Sequence, residues 1–309
     1  MGNFRFPFRG DGGNRTPRHK DFQSFALPTE LHHLTLFVGA KITTSFYLQR
    51  NEVIFFRNCS CIFACMNTKN QVIVLDAGNT AVKIGVFKND EIEHVFRVSF
   101  EEFQPFIENN EEFRSIPAII SSVLTTEKTA VLKMYFDKIH ELSPKSVLPI
   151  ELNYLTPETL GKDRICNAVA INQINQQKNS VSIDIGTCLK FDFVSDKGIY
   201  QGGSISPGIQ LRYKALNDYT DNLPLLKEFG KSKLIGKDTR ESIHSGVING
   251  IEAEINNLMH RYMEEYEDLT FFMTGGDAKY FDFHRKSNIF VDENLTLKGL
   301  FYIYLLNAH

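Results

Sequence analysis

No stretch of this 309-residue chain is long and apolar enough to cross a membrane. A span needs about 20 apolar residues, whereas runs without Asp, Glu, Lys or Arg are short and, as at residues 165–177, studded with Asn and Gln. An excess of one charge is missing too. The 34 basic and 37 acidic residues leave a net charge of -3, so no overall field draws the protein to nucleic acid or to an anionic membrane. Patterned cysteines are scarce, and Cys166 and Cys188 form an unpatterned pair that suits a reducing cytoplasm. Also absent are GxxxxGK(S/T) and a GxGxxG opening a βαβ unit, which argues against a P-loop NTPase or a dinucleotide enzyme. What remains, 42% apolar and 23% charged residues, is the composition of an ordinary globular protein. At about 150 residues per domain, two domains with a cleft between them are expected.

Residues 1–65 read differently from the rest. They hold 8 Lys/Arg against 4 Asp/Glu, net +4, leaving −7 for residues 66–309, and they carry 10 of the 26 Phe and three of the five Cys without a sustained period. A secretory signal fits poorly, because Arg57 breaks the apolar stretch nearest a small-residue site. Cys59, Cys61 and Cys65 lack the fourth ligand and the regular spacing of structural zinc, so they read as uncoordinated thiols. The expectation is that Met66 is the biological start and that residues 1–65 are a disordered upstream extension.

From Met66 strands and helices alternate in α/β fashion. An apolar run at residues 71–75 ends in Asp76-Ala77-Gly78-Asn79-Thr80 and is followed by strands at 81–87 and 92–100. Helical material at 101–109, a strand at 118–123, a helix at 126–140, a turn-rich loop at 149–162 and a helix at 164–177 follow. A second cycle then starts. Residues 181–185 are again an apolar run ending in Asp184-Ile185-Gly186-Thr187, with strands expected at 189–194 and 199–205.

This is an internal repeat. Placing Asp76 over Asp184 puts Gly78 over Gly186, and deleting one residue then puts Thr80 over Thr187 and Lys83 over Lys190. Each half thus carries a strand–turn–strand whose tip presents a carboxylate, a glycine and a threonine hydroxyl, and two such tips across a cleft make a polyphosphate clamp. A pair of plain β-turns uses the same residues and stays open as an alternative. Gly202-Gly203 with Pro207-Gly208, and Thr274-Gly275-Gly276-Asp277, each end a strand before an expected helix, where bare N–H groups favour anions or simply cap the helix. A helix over residues 238–265 carries Gly246 and Gly250 four apart, which suits the close-packed face of a dimer or internal packing.

Asp76-x-Gly-Asn-Thr-x-x-Lys83, Gly161-Lys162-Asp163-Arg164, Asp184-Ile185-Gly186-Thr187, Gly202-Gly203-Ser204-Ile205-Ser206-Pro207-Gly208, Gly236-x-x-Thr239 and Thr274-Gly275-Gly276-Asp277 stand in the order seen in type III pantothenate kinases. The chain resembles that family over essentially all of residues 66–309. The resemblance implies duplicated ribonuclease-H-like, actin-like ATPase domains, 66–179 and 180–309, with a cleft between them. It implies a cytoplasmic homodimer that uses ATP to phosphorylate pantothenate to 4′-phosphopantothenate, the first step of coenzyme A biosynthesis. By the same resemblance Asp76, Gly78, Asn79, Thr80, Lys83 and Thr187 bind ATP, Asp76 faces Mg²⁺ through water, and Asp184 holds a monovalent cation, K⁺ or NH4⁺. Tyr154, Gly161, Lys162, Asp163, Arg164 and Thr239 bind pantothenate, with Asp163 as the general base.

The residue types suit the chemistry. Phosphoryl transfer needs positioning, charge neutralisation and one acceptor for the alcohol proton, which an Asp takes as the O–P bond forms. Arg164 could fork onto the pantothenate carboxylate. Read without the resemblance, Lys162-Asp163-Arg164 is equally a solvated helix start capped by Asp163. Two departures stand out: Cys188 and Lys190 replace an Ala and a later Thr of the common pattern, Cys188 reading as packing and Lys190 as a phosphate contact or a solvated side chain. A kinase of the same fold for another small alcohol or carboxylate, or a non-catalytic transcriptional accessory factor, remain alternatives; the intact Asp76 and Asp163 argue against the latter.

Overall fold

The computed structural model describes residues 32–34, 46–49, 52–53, 71–282 and 288–308. The chain divides into two compact units, Met1–Met66 and Asn67–His309. In the first, the described residues form an antiparallel sheet of β1 (His32–Leu34), β2 (Phe46–Gln49) and β3 (Glu52–Val53). Otherwise the readings made of residues 1–65, including Cys59, Cys61 and Cys65, lie outside the described residues.

The second unit holds two sheets of one topology. In the first sheet β4 (Gln71–Ala77), β5 (Val82–Lys88) and β6 (Glu91–Val98) form an antiparallel meander. β7 (Ala118–Ser122) and β8 (Ile139–Glu141) extend it in parallel, giving the order β6-β5-β4-β7-β8. In the second sheet β10 (Ser180–Ile185), β11 (Cys188–Val194) and β12 (Ile199–Pro207) repeat the meander. β13 (Thr270–Thr274) and β14 (Ile289–Val291) repeat the parallel extension. A two-residue strand, β9 (Glu151–Leu152), adds to the outer edge of β12. This is a duplicated ribonuclease-H-like fold.

Strand alternation decides what each face does. Ile73, Leu75 and Ala77 of β4 face a core made with Phe103 and Ile107 of α1 (Phe100–Glu108) and Leu132 of α2 (Thr126–Lys133). Val181, Ile183 and Ile185 of β10 face a core built with α4 (Ile209–Asp218) and α5 (Thr239–Glu265). The opposite faces of the two sheets meet α3 (Lys162–Ile174) and α6 (Leu295–Asn307), which pack on each other. At their crossing a Cβ on Gly299 would lie 1.8 Å from the Cys166 carbonyl oxygen, so only glycine permits this approach. On the first sheet the Phe87 and Phe301 rings stack at 4.3 Å.

Two local expectations change, and one helix was not foreseen. The helix expected to reach residue 140 stops at Lys133, because Leu132 and Phe136 are already buried in the first core and the following residues pair with the open edge of β7 as β8. After Gly276 there is a single 3-10 turn, Ala278–Tyr280, in place of a helix. Helix α6 has no sequence signature: it is buried on nearly all sides, so it shows no polar stripe.

Candidate active site

The duplication brings matching side chains to matching places. Across the first hairpin Asp76 lies opposite Lys83, and across the second Asp184 lies opposite Lys190. Parity sends both pairs to the faces that look at α3 and α6. Asp163, in the first turn of α3, meets the second pair: its Oδ2 accepts from Lys190 Nζ at 2.5 Å, and Lys190 Nζ also lies 2.7 Å from Asp184 Oδ2. Asp163 is not the helix cap. Gly161 holds that position, and Asp163 Oδ1 accepts the Arg164 backbone N–H at 2.9 Å. Asn167, one turn further along α3, donates to Asp184 Oδ2 at 3.4 Å and accepts from Thr296 of α6 at 2.8 Å. Lys83 turns the other way, donating to the Glu293 carbonyl just before α6 at 2.5 Å.

Electrostatics mark the same cluster. Burial, and then the nearby Asp163 and Asp184 carboxylates, push the pKa of Asp76 up to about 6, against the pull of Lys83 and Lys190. Lys83 is lowered, burial outweighing the attraction of Asp76 and Glu293. Burial opposes the charge on Lys190, yet Asp184 and Asp163 more than compensate and hold it protonated far above the usual lysine range.

Beside Asp163 stands a second cluster. Arg164 is 5% exposed, and its Nε donates to Asp192 Oδ1 at 2.7 Å while the Tyr200 hydroxyl donates to the same oxygen at 2.8 Å. Arg164 Nη2 lies 2.7 Å from that oxygen but in no hydrogen-bonding geometry, and Asp192 Oδ2 is buried without a partner. Burial pushes Asp192 up to about 6 despite Arg164 and Tyr200. The guanidinium sits 5.9 Å from the Tyr154 ring centroid and 6.0 Å from that of Tyr200. So the guanidinium expected to fork onto a substrate carboxylate is committed chiefly to Asp192, with Nη2 as its unsatisfied donor. Lys162 Nζ lies 3.6 Å from Glu141 Oε1.

The glycine turns clasp the second tip. Gly208 donates to the Thr187 carbonyl at 3.0 Å, and Asp277 donates to the Ile185 carbonyl at 2.9 Å. Gly275 has φ +95°, and a Cβ there would lie 2.3 Å from the Ile185 oxygen and 2.6 Å from Asp184 Oδ1. Thr187 is exposed at this tip, as are Asn79 and Thr80 at the first, while Gly78 and Tyr154 are half-buried. Thr239 opens α5, where Asp238 caps the helix by accepting from the Glu241 N–H, and no described contact joins Thr239 to the Asp163 cluster. Strand alternation signalled Asp192, two residues after Lys190, and helix spacing signalled Asn167, four after Asp163; the tertiary pairing alone reveals Tyr200, Glu293 and Thr296.

The cations implied by the resemblance fare differently. Asp76 suits Mg²⁺: it is a carboxylate close to the Asp163 and Asp184 carboxylates, and one carboxylate is enough for an ion that keeps its waters and binds phosphates. A monovalent cation at Asp184 does not fit, since the Lys190 ammonium already sits on Asp184 Oδ2. Among the described residues no helix is long and apolar enough to cross a membrane.

The chain is similar in sequence to known proteins along most of its length. Type III pantothenate kinases of Christiangramia forsetii and Flavobacterium psychrophilum are each 38% identical to the chain, over 241 and 240 residues, covering 76% and 75% of it and 98% of each relative. That of Phocaeicola vulgatus is 37% identical over 230 residues, 74% of this chain and 95% of its own. The family model for type III pantothenate kinase matches residues 72–261, and the chain belongs to that family.

Proposed function

We propose that the protein transfers the γ-phosphoryl group of ATP to the hydroxyl of pantothenate, forming 4′-phosphopantothenate, the first step of coenzyme A biosynthesis. The observation that carries this reading is the convergence of Asp76, Asp163 and Asp184 with Lys190, from two hairpin tips and one helix start, in a member of this family.

The two tips, with Gly78, Asn79 and Thr80 on one and Thr187 on the other, hold the phosphates through backbone N–H groups and hydroxyls. Lys83 adds a cation on the side of the first tip. Asp76 would hold Mg²⁺ through water, and the ion would supply positive charge to the phosphate oxygens. Asp163 accepts the alcohol proton as the O–P bond forms: each of its oxygens holds one hydrogen bond, from Arg164 N–H and from Lys190, which fixes the carboxylate and leaves a lone pair for the substrate. Gly161, Lys162, Tyr154 and Arg164 wall the pantothenate side, with the Arg164 guanidinium held there by Asp192. Thr239 belongs to the same reading as a further substrate contact.

Domains at 66–179 and 180–309, a cytoplasmic homodimer and no nucleic-acid partner complete it. Dimerisation through α5, with Gly246 and Gly250 on it, belongs to the same reading.

The test is ADP release by the full chain with Mg·ATP, with and without pantothenate. Release that requires pantothenate and vanishes in Asp163→Asn supports the reading; release driven by a different alcohol, or none, overturns it.

A further inference from the structure

Lys190 presents a fixed positive charge where the family resemblance calls for a free one. Its Nζ bridges Asp184 Oδ2 at 2.7 Å and Asp163 Oδ2 at 2.5 Å. The bridge follows from register. Lys190 and Asp184 are direct cross-strand partners on β11 and β10, so their side chains leave the sheet on one face, within about 5 Å of each other at Cβ. Burial removes competing water, the lysine side chain being 14% and that of Asp184 13% exposed. A K⁺ or NH4⁺ ion at Asp184 would have to displace this ammonium from its own tether, which an untethered ion does poorly against a group held at high effective concentration.

The equivalent lysine of the first half shows that register alone does not force the bridge. Lys83 lies opposite Asp76 in the same way, yet its Nζ goes to the Glu293 carbonyl, leaving the Asp76 carboxylate to a divalent ion. What differs is α3, whose first turn brings Asp163 to the second tip and gives Lys190 two anions to join.

We infer that the Lys190 ammonium replaces the monovalent cation in this protein, so that turnover depends on Mg²⁺ and on neither K⁺ nor NH4⁺. This rests on the proposed kinase reading for its activity arm. In that role Lys190 is a positioning residue: it ties the proton acceptor Asp163 to the second phosphate-binding tip and supplies the charge that keeps two carboxylates together. Removing it leaves Asp163 and Asp184 facing each other with no counter-charge and reopens room for an ion.

The experiment compares the full chain with Lys190→Thr and Lys190→Met in tetramethylammonium, K⁺ and NH4⁺ chlorides at matched ionic strength, reading pantothenate-dependent ADP release and, separately, Tm. For the unaltered chain, release changes by less than about twofold among the three salts, and K⁺ gives no rise in Tm over tetramethylammonium. Lys190→Thr loses at least about tenfold in tetramethylammonium, regains most of it in K⁺ or NH4⁺, and gains a K⁺-specific rise in Tm. Lys190→Met, which keeps the side-chain length without the charge, stays slow and recovers less. Strong activation of the unaltered chain by K⁺, a K⁺-specific rise in its Tm, or a Lys190→Thr protein that is fast and indifferent to K⁺ overturns the inference. Absence of turnover in every salt counts against the kinase reading, and the Tm comparison then decides the role of Lys190.

Discussion

The two hairpins of the second unit share a topology and an Asp–Lys register but not a chemistry. In the first, the tip after Asp76 is open: a Cβ on Gly78 would meet only the Ala81 oxygen, at 3.4 Å. In the second, Gly208 and Gly275 press against the turn from both sides, and Lys190 is locked between two carboxylates. Two residues beyond each lysine the difference recurs. Gly85 of β5 lets Leu297 of α6 approach so closely that an added Cβ would lie 3.1 Å from Leu297 Cδ1, whereas its counterpart Asp192 of β11 binds Arg164 of α3. The lesson is that one hairpin design became an open edge in one half and a braced, charge-paired anchor in the other, according to which helix covers it.

The prediction with the largest effect probes the residue bound to the braced tip. Asp163→Asn should lower kcat by about 10² to 10⁴-fold while leaving the KM for ATP near its original value; steady-state kinetics check this, and an unchanged kcat removes Asp163 from its role. Next, Gly275→Ala must move either the Asp184 carboxylate or the Ile185 carbonyl and strains a positive φ. Urea unfolding should show a loss of about 1–3 kcal/mol. Tyr200→Phe takes one of two hydrogen bonds from Asp192 Oδ1, and the same titration should register about 1–2 kcal/mol. Gly78→Ala is the control for the comparison. Its stability should stay within about 0.5 kcal/mol of the original, with any effect confined to the KM for ATP. Equal destabilisation by Gly78→Ala and Gly275→Ala would show that the two tips are not braced differently.

Much of this architecture is legible along the chain. The apolar runs that end in Asp76 and Asp184 are strands, the repeat of Asp, Gly, Thr and Lys foretells paired hairpins, and Asp238 with Glu241 marks the start of α5. The rest is not, for identifiable reasons. A helix buried on almost every side, α6, carries no period to read, and β8 and β9 are short strands whose existence depends on a neighbouring edge. Arg164 reads locally as an exposed substrate fork, yet it is buried because Asp192 and Tyr200, 28 and 36 residues away, enclose it.

Sequence alone determined which residues share a strand face and which hairpin repeats which, since alternation and turn chemistry are short-range properties of the backbone. Only the tertiary structure decided where the two lysines point. Lys83 and Lys190 are equivalent in register, but a side chain goes to the partner that packing supplies. For Lys83 that is a carbonyl before α6, and for Lys190 it is a carboxylate on α3.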